Sequence, residues 1–100
     1  MEHTCCAGEK KTMRSEEERK KLIHRLNRLE GQIRGIRGMV ERDCYCTDVL
    51  TQSAAVQAAL NAFNRELIAA HLHGCVARDL RAGHDEVIDE LVLTLQKLMK

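Results

Sequence analysis

The chain has 100 residues, 44% of them hydrophobic but with one Phe, one Tyr and no Trp, so one small domain is expected, with an oligomer covering faces that so short a chain leaves bare. No run approaches the roughly 18 apolar residues of a membrane span, the start lacks a signal-peptide pattern, and five Cys beside five His argue against a disulfide framework and towards metal or thiol chemistry in the cytoplasm. The net charge of +1 conceals a basic stretch, because eleven of the 16 Lys and Arg fall between residues 10 and 42 against five Glu. Such a surface suits an anionic partner, nucleic acid before membrane, although an ordinary solvated helix face reads the same way.

Residues 1–13 show no core pattern and read as a mobile tail ahead of a single domain over 14–100. Ser15 and Glu18 form a capping-box pair at the start of a first helix, placed at about 15–42. Its apolar residues Leu22, Leu26, Leu29, Ile33, Ile36 and Val40 recur at alternating steps of four and three, a heptad seam. Gly31, Gly35 and Gly38 are expected to admit the backbone of a packing neighbour. The segment Asp43–Asp48 interrupts the seam, with Asp43 or Thr47 available to cap a second helix over about 47–81. There Val49, Ser53, Val56, Leu60, Phe63, Leu67 and Ala70 repeat the same period beside an alanine cluster. Ala82-Gly83-His84 reads as a stop, and Val87, Ile88, Leu91, Val92, Leu95 and Leu98 mark a third helix of about 85–99. With no proline and no sustained alternation, the chain is predicted to be all-α.

His71 and Cys75 are four residues apart, so on a helix their β-carbons lie about 5–6 Å from each other on one face. The pair is either a two-point arm for a metal or a surface His beside a buried structural Cys. Cys46 sharpens the first reading. It precedes His71 by 25 residues, roughly 37 Å along an unbroken helix, so the three meet only between two chains whose second helices run antiparallel. The two-fold axis then falls near Ala59 and Leu60, where small side chains permit close approach. Two thiolates and an imidazole select a soft ion, and three donors favour Cu(I) over a structural zinc, which takes four. His3, Cys5 and Cys6 are possible accessory donors, and Cys44 points away from Cys46 on most local geometries. His24, His73 and His84 read as surface or capping residues.

The blocks RLNRLEGQIRGIRGMVERDCYC, QSAAVQAA and HLHGCVARDL resemble the copper-sensing repressors of the CsoR/RcnR family, over nearly the whole chain from about residue 15. The resemblance implies an all-helical dimer assembled as a dimer of dimers that binds operator DNA without a helix-turn-helix. It implies release from DNA when one Cu(I) per chain binds Cys46, His71 and Cys75 across the dimer interface, freeing copper-efflux and chaperone genes. By the same resemblance Tyr45 and Glu90 are the residues that couple the metal to the helices, Glu90 only if the turn near Gly83 is one residue shorter than in relatives. The nickel- and cobalt-sensing relatives carry His where Cys75 stands.

A metal moves a conformational equilibrium only through its different affinity for the two states. Drawing Cys46 towards a second chain would shift the end of the first helix and with it the phosphate-binding cations. Arg25, Arg28, Arg34 and Arg37 are the candidates, supported by Arg14, Lys20 and Lys21. Two other readings compete: a copper buffer or chaperone centred on Cys5 and Cys6, and a thiol-based regulator in which Cys46 and Cys75 react together. No acid/base constellation points to an enzyme.

Overall fold

The computed structural model describes residues 14–99. The expected N-terminal tail, with His3, Cys5 and Cys6, lies outside the described residues. The described chain is all-α, without a strand: α1 (Glu16–Glu41), α2 (Cys46–His71), a π-helical turn (Leu72–Val76), α3 (Ala77–Arg81) and α4 (Glu86–Leu98). The predicted helices of about 15–42 and 85–99 thus hold to within a residue or so. The one predicted for 47–81 is a continuous helical run, but it contains a π turn that the apolar period did not disclose. The fold divides into two compact units, one of Arg14–Ile68 and one whose described part is residues 69–99.

In the first unit α1 begins where predicted: the Ser15 Oγ accepts a hydrogen bond from the Glu18 N–H at 3.1 Å, and Glu16, Glu17 and Glu18 place negative charge in the first turn, where the helix dipole favours it. It ends in a Schellman motif. The Cys44 N–H donates to the Met39 carbonyl at 2.9 Å and the Asp43 N–H to the Val40 carbonyl at 3.1 Å, with Asp43 in the left-handed region at φ 57°. Neither Asp43 nor Thr47 therefore caps α2 as expected. Asp43 closes the preceding helix, and Thr47 lies inside the first turn of α2, where its carbonyl accepts from the Thr51 hydroxyl at 2.9 Å. The Tyr45 carbonyl begins the α2 ladder, accepting from the Asp48 N–H.

Helices α1 and α2 form an antiparallel hairpin, fastened across its width by an Arg25–Glu66 ion pair of 3.2 Å. The α1 seam separates into two rows. Leu22 and Leu29 are buried and Ile36 half-buried, because they face α2 together with the half-buried Val49, Val56, Phe63 and Leu67. Leu26, Ile33 and Val40 remain 40%, 55% and 60% exposed. One neighbouring helix covers only one of the two apolar heptad rows. Among the described residues of one chain, a Cβ at Gly35 would meet nothing within 4 Å, and at Gly31 and Gly38 only the Arg34 and Arg42 side chains. On α2, Leu50, Ala54, Ala55 and Ala58 are likewise exposed.

The described part of the second unit contains the π turn, α3 and α4, and its buried residues are Cys75, Val76 and Val87. A second Schellman motif separates α3 from α4, the His84 N–H donating to the Asp79 carbonyl at 2.8 Å and the Gly83 N–H to the Leu80 carbonyl at 3.1 Å. Gly83 adopts φ 88°, a conformation open to glycine without the cost a β-carbon brings. Along α4 the buried Val87 and half-buried Leu91 and Leu95 share one face, whereas Ile88, Val92 and Leu98 are exposed.

Candidate metal centre

The three donors singled out by spacing fall at three distinct kinds of position. Cys46 is the first residue of α2 and is exposed. His71 is the last residue of α2 and half-buried. Cys75 is buried, at 6% exposure, inside the π turn that follows. The π turn, closed by i→i+5 rather than i→i+4 hydrogen bonds, is a rare local form that recurs at functional sites, and here it carries one donor and adjoins another. His71 and Cys75 belong to one compact unit and Cys46 to the other. Among the described residues, no three His, Cys, Asp or Glu of a single chain gather into a metal-holding group. All three described cysteines are free thiols, and the donor set of two thiols and one imidazole is chemically matched to Cu(I).

Tyr45 stands beside Cys46 with its ring exposed, while its carbonyl serves the start of α2. Glu90 lies on α4 in the same unit as His71 and Cys75. It lines an open cleft with Asp79, His84, Glu86 and Val87, and its carbonyl accepts from the Thr94 hydroxyl at 3.0 Å.

The cations of α1 do not form one uniform surface. Lys21, Arg25 and Arg28 are spaced by four and three residues, which places them along one stripe of α1, whereas Arg14 precedes the helix, ahead of its extended N-cap Ser15. Lys20, Arg34 and Arg37 fall on other sides. Two of the seven are engaged: Arg25 with Glu66 on α2, and Arg37 with Glu41 one turn on at 3.3 Å. Lys20, Lys21, Arg28 and Arg34 are exposed and pair with no acidic group among the described residues. Arg14 is half-buried, and its Nε has no hydrogen-bond partner there. Sequence reasoning missed Glu66, whose link to Arg25 spans 41 residues and leaves no local signal.

Comparison with known proteins agrees with this organisation. The chain is 43% identical over 96 residues to the copper-sensing transcriptional repressor CsoR of Bacillus subtilis, covering 93% of this chain and 95% of that one. It is 51% identical over 59 residues to the copper-sensing transcriptional repressor RicR of Mycobacterium tuberculosis, covering 59% and 62% respectively. The crystal structure of the copper-sensing repressor CsoR with Cu(I) from Geobacillus thermodenitrificans matches the fold with a TM-score of 0.84 at 39% identity, over 89% of this chain and 96% of that one. The nickel-responsive transcriptional regulator InrS matches with a TM-score of 0.67 at 34% identity, over 87% and 96%. These relatives are transcriptional regulators and not enzymes, as expected for this chain. A family model described as metal-sensitive transcriptional repressor matches residues 18–97, and the chain belongs to that family of repressors.

Proposed function

We propose that this chain is a Cu(I)-responsive repressor that holds operator DNA as the apoprotein and leaves it when Cu(I) binds, so that copper-efflux genes are expressed. The observation that carries the reading is the donor set itself: Cys75 buried in a π turn beside His71, and Cys46 on the opposite end of α2, with both cysteines free thiols. Its likeness to copper-sensing repressors supports the choice of metal. His71 and Cys75 of one chain and Cys46 of the partner subunit hold one Cu(I) per chain, in an antiparallel dimer that pairs again as a dimer of dimers. Bound there, the ion supplies soft-metal bonding to two thiolates and an imidazole. Residues 14–100 work as one sensing and DNA-binding domain in the cytoplasm, with a copper chaperone as the donor.

The protein's own residues convert occupancy into release. The Cys46 backbone is joined through Tyr45 to the Schellman motif that ends α1, so a displacement of Cys46 is passed to α1 over two residues. Helix α1 carries the phosphate-binding candidates Lys20, Lys21, Arg25, Arg28, Arg34 and Arg37, and Arg14 directly precedes its N-cap Ser15. Tyr45 at the corner and Glu90 on α4 are the residues proposed to couple the two ends. A rotation or shift of α1 misaligns several phosphate contacts together, and phosphate contacts dominate affinity for DNA.

The test is binding of the reduced protein to DNA upstream of its own gene, titrated anaerobically with Cu(I), for the native chain, Cys46→Ala and His71→Ala. Release at about one ion per chain is expected for the native chain, with both variants staying bound. Failure of the apoprotein to bind DNA, with copper binding retained, would point to a copper buffer. Full responsiveness of His71→Ala would point to thiol chemistry between Cys46 and Cys75.

A further inference from the structure

The copper reading uses one of the two thiols at the α1–α2 corner and leaves Cys44 without a role. Cys44 is half-buried and Cys46 exposed, with only Tyr45 between them. Both are free thiols. Their backbones are fixed by different anchors: the Cys44 N–H is bonded to the Met39 carbonyl at the end of α1, and Cys46 is the first residue of α2. Residues two apart have Cα atoms separated by at most about 7.2 Å. Two thiolates that share a soft metal at about 2.3 Å each need sulfur atoms no more than about 4.6 Å apart, a spacing that side-chain rotation reaches from such Cα positions.

We infer that Cys44 and Cys46 form a capture pair, in which Cys44 takes Cu(I) from its carrier and passes it to Cys46 without becoming a ligand of the final site. The inference rests on the copper reading above. In the first step a bond from Cu(I) to the donor ligand breaks as the bond to the Cys44 sulfur forms, and the Cys44 thiol proton leaves to the donor or to buffer. In the second the bond to Cys44 breaks as that to Cys46 forms, and the Cys46 proton returns to Cys44. Copper stays Cu(I) throughout, so no oxidant or reductant is consumed.

The test uses the reduced full-length chain mixed anaerobically in a stopped-flow instrument with the coloured Cu(I)–bicinchoninate complex, whose bleaching reports transfer. Native protein, Cys44→Ser and Cys46→Ser are compared, each also in a chain carrying Cys5→Ser and Cys6→Ser so that these two cysteines do not substitute for Cys44. Cys44→Ser is expected to slow transfer at least fivefold while leaving the final copper stoichiometry, the equilibrium affinity and the copper-bound absorption spectrum unchanged. An unchanged rate overturns the capture role. A tenfold loss of affinity in Cys44→Ser overturns it too, by making Cys44 a resident ligand. If the native chain takes no copper, or Cys46→Ser binds it as the native chain does, the underlying copper reading fails instead.

Discussion

Asp43 and Gly83 occupy the same place in two Schellman motifs, yet only one of them is suited to it. A residue with a β-carbon is strained by roughly 1–2 kcal/mol in the left-handed region, with Asp and Asn the best tolerated, and Asp43 lies there at φ 57°. Asp43→Gly is therefore expected to stabilise the chain by about 0.5 kcal/mol, the relief of strain outweighing the entropy glycine adds to the unfolded state. Gly83→Ala, at φ 88°, should destabilise it by about 1 kcal/mol. Urea denaturation of the reduced apoprotein checks both, as opposite shifts of the midpoint at constant slope. Gly83 was legible as a stop because glycine after a helix has one common meaning. Asp43 was not, since the same side chain serves equally as an N-cap, and only the backbone dihedral decides. Ser15 was read correctly because its hydroxyl and the Glu18 N–H are three residues apart, a purely local relation.

At the level of elements, the 3.6-residue period located the described helices, and Cys46, His71 and Cys75 stood out as candidate donors because thiols and an imidazole at helical spacing are conspicuous. The π turn escaped because widening one turn leaves the apolar spacing on either side intact. The Arg25–Glu66 pair escaped because it depends on how α1 and α2 lie against each other. That pair bears on the proposed DNA contacts: with Arg25 as a phosphate-binding residue, Glu66 on α2 would compete with phosphate for a cation of α1. Both side chains are about 40% exposed, so the interaction is worth no more than about 1 kcal/mol. Glu66→Gln should tighten DNA binding by the apoprotein by about two- to fivefold, the ratio that such an energy allows. It should also steepen the dependence of log affinity on log salt by up to about one unit, as one more cation meets phosphate. Fluorescence anisotropy on operator DNA at several salt concentrations measures both, and an affinity unchanged at every salt concentration excludes Glu66 as a competitor.

For the whole molecule, the division of α1 into a covered and an uncovered row carries the argument for assembly. Leu26, Ile33 and Val40 are apolar and exposed, with the exposed Leu50 and Ala54 on α2. Composition had already indicated that so few aromatics in 100 residues would leave surface for another copy to cover. It does not state which surface, because both rows of the seam read identically until one neighbour is in place. Ile33→Glu should shift the reduced apoprotein towards smaller species in sedimentation velocity while its helical circular dichroism is retained at high concentration. An unaltered sedimentation coefficient would remove this row from the interface. The bare row also makes the protein's own abundance a thermodynamic variable. In the proposed assembly, a folded state completed by a second copy would gain stability by mass action, so its melting temperature would rise with protein concentration, and dilution would loosen the contact that brings the two halves of each proposed donor set together. On the proposed function, the copper threshold at which genes are released would then depend on how many repressor chains the cell contains as well as on how tightly each donor set grips its ion.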